Sequence, residues 1–204
     1  MYKQNKIRYF LDLLLFPGLV LHEFAHALVV EIIPNAEITD FKVTLHDGGH
    51  VKYKYYPTAT RAFVIGFAPF YINTSIAFWA IFTLFNISIL SNPIVNIPKF
   101  IILYLISISS ASKAMPSYVD SVAHIELMRK QLFTRRFPVI FLIGPFYILL
   151  SLPAILTSKL RKRSSNLYYS IGITYAIIIL GVAIGIELNY SSISDFIDSL
   201  DNLV

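Results

Sequence analysis

His22-Glu23-Phe24-Ala25-His26 is an H-E-x-x-H run. At this spacing two side chains share one face of an α-helix, about one turn apart. Imidazoles so placed can bind a single Zn²⁺, and the glutamate beside them can act as general base toward water. The chain holds five histidines and five glutamates, so about three chains in a thousand of this composition would carry the run by chance. It lies inside an apolar stretch from Phe10 to Ile33. Asp or Lys near the centre of a membrane helix costs about 2.5–3.5 kcal/mol on insertion scales, so ionisable groups there usually have a task.

The composition says what must position those residues. Hydrophobic residues make up 56% of the chain, charged residues 14%, and the mean hydropathy is +0.64. Soluble domains average about 45–50% and about 25%. The expectation is an all-α polytopic membrane protein, a single membrane domain over 1–204, integral and multi-pass in the cell membrane. Five stretches are long enough to cross about 30 Å of hydrocarbon, near 9–33, 62–87, 97–116, 137–157 and 168–188. Pro17 and Pro153 lie inside two of them, where membrane helices tolerate a kink. Basic Met1–Arg8 followed by apolar residues imitates a signal peptide. Asp12 interrupts the apolar part and no small-residue cleavage site follows, so the segment reads as a retained first span.

Absence of cysteine excludes disulfides and thiolate metal sites. The net charge of +5 comes from short clusters beside the spans, such as Arg129/Lys130/Arg135/Arg136 and Lys159/Arg161/Lys162/Arg163. Such clusters suit anionic headgroups of the lipid bilayer, and no nucleic-acid partner is expected.

After Pro34 the hydrophobic period changes from helical to alternating. Phe41, Val43 and Leu45 alternate with polar residues, as do Val51, Tyr53 and Tyr55, around a His46-Asp47-Gly48-Gly49-His50 turn. Asp-Gly-Gly suits positive φ, which predicts a small membrane-associated β-hairpin between the first two spans. Asn92-Pro93 and Ile97-Pro98 predict a turn before the third span. From Pro116 to Arg136 the spacing of Val119, Val122, Ile125 and Leu132 predicts an interfacial helix. An acidic amphipathic tail is expected over 191–204.

Catalytic zinc normally takes three protein ligands and keeps a fourth position open. The first and third spans cross in the same direction, so their C-terminal ends emerge on one side. Asp120, just past the third span, can therefore meet His22 and His26 at similar depth and is the candidate third ligand. A helix-capping carboxylate is the plainer reading of the same residue. His46, Asp47 and His50 in the hairpin turn, and His124 and Glu126 beside Asp120, are competitors. Glu31, five residues after His26, lies off the shared face and reads as an interfacial carboxylate, and Asp12, almost three turns before His22, reads as lying near the opposite headgroups. Asn73, with Thr74 and Ser75, reads equally as interhelical hydrogen-bonding glue or as a polar site group.

Three motifs together give the chain a resemblance to a known family. Leu21-His22-Glu23-Phe24-Ala25-His26-Ala27 lies in a span. Gly66-Phe67-Ala68-Pro69-Phe70-Tyr71-Ile72-Asn73 resembles a Gly-Pro-x-x-Asn element in the next. Pro116-Ser117-Tyr118-Val119-Asp120 resembles an Asn-Pro…Asp-Gly element. In this order, with the hairpin between the first two, they resemble the site-2 protease family of intramembrane zinc metalloproteases over about residues 17–120. Ser121 stands where the family has glycine, Met115 where asparagine is usual, and Ala68-Pro69 replaces Gly-Pro. The resemblance implies zinc on His22, His26 and Asp120, Glu23 as general base, and Asn73 as a substrate-binding contact. It also implies a catalytic core of about 9–126, with accessory spans at 137–157 and 168–188.

The expected function is hydrolysis of peptide bonds in transmembrane or membrane-anchored protein substrates. The alternative is a zinc-binding membrane protein without protease activity, a degenerate homologue with a binding or regulatory role. A transporter lined by the same three residues is a third class, but no repeated halves support it.

Overall fold

In the computed structural model, the described residues are 6–45, 48–87, 92–132 and 171–187, with the single positions 152 and 156. Helix α1 spans Lys6–Ile32 and carries Pro17 inside it. It ends at Pro34-Asn35, where Asn35 takes φ 59°, the left-handed region that asparagine enters more readily than most residues. The Ala36 N–H donates to the Ile33 carbonyl at 3.2 Å and closes the turn.

The expected hairpin follows. Strands β1, Glu37–Thr44, and β2, Gly48–Lys54, pair antiparallel from Thr44↔Gly48 to Glu37↔Lys54, with an irregularity between Ile38 and Asp40. One detail of the turn differs from expectation. Gly48 takes the positive φ, 83°, while Gly49 pairs with Val43 inside the ladder. Both strands pack on α1.

Helix α2, Ala59–Phe85, starts at Thr58, whose hydroxyl accepts from the Arg61 N–H at 3.2 Å and satisfies one orphan donor of the first turn. Helix α3 spans Pro93–Ser112. The expected turn at Ile97-Pro98 is instead helix. Pro93 sits in the first turn, where its missing N–H costs nothing, and the helix continues through Pro98. Helix α4, Tyr118–Leu132, lies within the stretch expected to be helical from Pro116 to Arg136. An apolar helix α5 covers Ile171–Glu187.

Among the described residues, three helices are long and apolar enough to cross a membrane, at the first three of the five expected stretches: Tyr9–Ile32, Ala59–Phe85 and Pro93–Ser112. The stretch expected at 137–157 and the acidic tail at 191–204 lie outside the described residues, apart from 152 and 156. Of the stretch expected at 168–188, residues 171–187 are described and form the apolar helix α5.

Helix α2 is central, packed on α1, α3 and α4. Small residues set how closely the backbones approach, as is usual where hydrocarbon removes the hydrophobic drive between helices. A Cβ on Gly18 of α1 would run into the Ser109 carbonyl of α3. Ala77, Ile81, Ala111, Ala176, Ile179 and Ala183 join α2, α3 and α5 in one core cluster, and Thr74 meets the Tyr175 hydroxyl at 3.0 Å. Large apolar side chains such as Phe10, Ile32, Trp79 and Ile102 point outward, as a hydrocarbon environment requires. The close α1–α3 contact has a local consequence: it brings the C-terminal end of α3 beside the histidines of α1.

Candidate metal centre

His22 and His26 come from α1 and Asp120 from the first turn of α4, and one ligand atom from each lies within 4.8 Å of the others. The two rings meet edge to face with centroids 5.0 Å apart. His26 Nε2 lies 3.5 Å from Asp120 Oδ2. This is the grouping expected from the parallel course of the first and third spans.

The donor chemistry fits zinc. His22 Nδ1 donates to the Lys113 carbonyl at 2.7 Å and His26 Nδ1 to the Ile65 carbonyl at 2.8 Å. A carbonyl oxygen only accepts, so each ring is protonated at Nδ1 and keeps its lone pair on Nε2, the arrangement typical of zinc-bound histidine. Lys113 is the C-cap of α3, so the carbonyl that orients His22 lies at the end of a helix, where carbonyls have no intrahelical partner.

Asp120 is both cap and candidate ligand. Its N–H donates to Ser117 Oγ at 3.3 Å, and its Oδ2 accepts from the Ser117 N–H at 2.9 Å. That reciprocal pair, the carboxylate version of a capping box, fixes the start of α4. Burial alone would push the carboxyl up, but His26 and His22, when their rings carry a second proton, and the Ser117 N–H outweigh it and hold Asp120 at about 2. It is a carboxylate across the physiological range. Gly66 of α2 lets α4 come this close: a Cβ there would fall 2.5 Å from the Asp120 carbonyl oxygen.

Glu23 is buried beside the group, and the hairpin covers it. A Cβ on Gly49 would fall 2.7 Å from Glu23 Oε1 and 2.8 Å from its Cδ, closer still to Cγ. Side chains alternate along a strand, so Gly49, Val51 and Tyr53 share the face of β2 turned to the site. Burial pushes the Tyr53 hydroxyl up, and the negative charges of Asp120 and Glu23 push it the same way. It remains a protonated donor beside two carboxylates.

Asn73 is fully buried. Its Nδ2 donates to the Gly18 carbonyl at 3.2 Å and to the Lys113 carbonyl at 3.4 Å, so it shares with His22 the oxygen that orients the ring. Its Oδ1 is buried with no hydrogen-bond partner among the described residues. Of the competitors for the third ligand position, His50 is turned away, with its Nε2 2.9 Å from Asp40 on the outer face of the hairpin. Glu126 and Glu31 are exposed. His46, Asp47 and the side chain of His124 lie outside the described residues.

Sequence reasoning did not single out Gly49, Tyr53 or the carbonyls of Ile65 and Lys113. The alternation of β2 was signal enough for the first two; nothing in a side-chain pattern marks the carbonyls. Comparison with protein-family models, curated proteins and solved structures finds no match to this chain. Chemically, the arrangement offers two nitrogen lone pairs and a carboxylate converging on one point, with a second carboxylate at its edge.

Proposed function

We propose that this chain is an intramembrane zinc metalloprotease, a multi-pass protein of the cell membrane that hydrolyses peptide bonds in transmembrane or membrane-anchored substrates. One observation carries the reading: His22, His26 and Asp120 converge from two helices within 4.8 Å of one another, in the C-terminal half of an apolar helix. A zinc ion held there would supply Lewis acidity toward water and toward a peptide carbonyl.

The protein's own groups do the rest. Glu23, fixed under Gly49, takes the proton of the attacking water and later delivers it to the leaving amine. The Tyr53 hydroxyl lies on the same side and can donate to negative charge developing on the carbonyl oxygen. A substrate helix hides its carbonyls in its own hydrogen bonds, so it must unwind before attack. An edge of the two-stranded hairpin can hold the unwound segment as an added strand. Asn73 is assigned the substrate contact through Oδ1, the one acceptor its fixed amide has left, which requires the segment to enter between α1 and α2.

The test uses the full chain in detergent with synthetic transmembrane peptides as substrates. Glu23→Gln retains zinc and loses cleavage by about 10²–10⁴-fold. Unchanged cleavage, or a wild-type protein that holds no zinc, overturns the reading.

A further inference from the structure

We infer that Pro69 is a positioning residue of the metal centre: it withholds a backbone N–H from the Ile65 carbonyl and so leaves that oxygen to orient His26. The inference rests on the metalloprotease reading for its purpose, but on helix geometry for its substance. In an α-helix the carbonyl of residue i accepts from the N–H of residue i+4. The partner of Ile65 is therefore residue 69, which is proline and has no N–H to give. Both residues are fully buried in the middle of α2, where a carbonyl without a donor is costly. The His26 Nδ1–H fills the role at 2.8 Å. In return the ring is locked with Nε2 facing Asp120, 3.5 Å away.

The two histidines thus solve one problem in two ways. His22 uses the carbonyl of Lys113, at the C-cap of α3. His26 faces the middle of a helix, where every carbonyl would ordinarily be occupied, and only a proline four residues on opens one. Proline in a membrane helix is commonly read as a kink. Pro17 and Pro98 also lie within helices and also withhold an N–H, from Leu13 and Ile94, but those residues are exposed on the outer surface. Among the described helices, only Pro69 opens a carbonyl onto a candidate ligand.

The two readings part experimentally. Pro69→Ala supplies the missing N–H, closes the α2 ladder and makes His26 compete for its acceptor. Zinc affinity of the full chain, measured against a chromophoric chelator with zinc alone, should fall about 10–100-fold. The thermal midpoint of the metal-free protein should hold or rise, because a helix hydrogen bond is regained. Pro98→Ala, the same change away from the site, should leave zinc affinity as it was. A second measurement needs no metal and no variant: ¹⁵N shifts of the His26 ring should show the Nδ1–H tautomer in the metal-free wild type. Equal zinc affinity in wild type and Pro69→Ala, or an Nε2–H tautomer in the wild type, overturns the inference and leaves the protease reading standing. A wild type with the expected tautomer but no zinc binding overturns the protease reading and leaves the Pro69–His26 linkage intact.

Discussion

Two histidine–aspartate pairs occur among the described residues, and their contrast shows what makes a site. On the outer face of the hairpin, His50 Nε2 lies 2.9 Å from Asp40 Oδ2, with the side chains 44% and 45% exposed. Under the hairpin, His26 Nε2 lies 3.5 Å from Asp120 Oδ2, with the side chains 5% and 15% exposed. The shorter pair is the less consequential one. Asp40 also bonds Lys52 at 3.0 Å, so its charge is answered within the strand pair and by water. The inner pair has a second imidazole, two orienting carbonyls and a neighbouring glutamate, and it is shut away from solvent. Distance between two groups says little; what else converges on them, and whether water can substitute, says more.

The strongest way to break the comparison is to remove one carboxylate from each pair. Asp120→Ala should lower zinc affinity by more than about 100-fold, beyond what loss of an outer-shell partner usually costs. Asp40→Ala should leave zinc affinity unchanged. If both substitutions had the same effect on zinc measured by chelator competition, the inner group would be no more a metal centre than the outer.

A subtler test leaves every ligand in place and moves one. Gly66→Ala puts a Cβ 2.5 Å from the Asp120 carbonyl oxygen. That contact is with backbone, which cannot swing aside as a side chain can, so α2 and α4 must separate. Overpacking of this kind costs about 1–3 kcal/mol. The expected outcome is a lower thermal midpoint together with zinc affinity reduced about tenfold or more, the displaced ligand acting at least as strongly as a lost outer-shell partner. A lower midpoint with wild-type affinity would mean that Asp120 is not held in place from Gly66.

These residues also mark how far the sequence was legible. H-E-x-x-H was readable because the two imidazoles are related by the helix period itself. Asp120 was readable because alternate spans run parallel, so depth along the first can be matched to the end of the third. The hairpin was readable from its alternation, although Gly49 was placed in the turn when it belongs to the strand. What stayed hidden acts without a side chain. Lys113 contributes a carbonyl, Pro69 the lack of an N–H, and Gly49 and Gly66 the lack of a Cβ. Their effects depend on which backbone lies opposite, and that is a property of the packed structure. The start of α3 was misjudged for a related reason: proline signals a helix beginning as readily as a break, and Pro93 begins one that runs on through Pro98.

Gly49 sharpens the comparison from the side of the base. Its missing side chain gives Glu23 the space it occupies. In Gly49→Ala the added methyl would displace the glutamate, whose flexible chain can yield, while His22, His26 and Asp120 stay where they are. Zinc affinity should be unchanged and turnover reduced about 100-fold, the loss typical of a reacting group moved by about 1 Å. Lys52→Ala, on the opposite face of the same strand, should change neither. Loss of zinc in Gly49→Ala would show instead that the hairpin supports the ligands rather than the base.

The smallest effect belongs to the outer pair and is a matter of pH. The hydrogen bonds from His50 and Lys52 draw the Asp40 carboxyl down from its usual 3.8 to about 2 in the folded protein. A group whose folded value is depressed stabilises the fold above its unfolded value and loses that contribution as pH falls through the folded one. Local order of the hairpin should therefore be steady above about pH 4 and decline toward pH 2, by a small amount because the pair is solvated and screened. Amide hydrogen exchange in β1 and β2 would read it, and Asp40→Asn should flatten the profile. The inner carboxylate has the same depressed value of about 2 but is buried against two helices. Acid near pH 2 should therefore act at both places, loosening the outer face of the hairpin through Asp40 and disturbing the start of α4 through Asp120. If exchange in β1 and the first turn of α4 changed together in the Asp40→Asn variant, the two pairs would be coupled through the hairpin rather than separated by it.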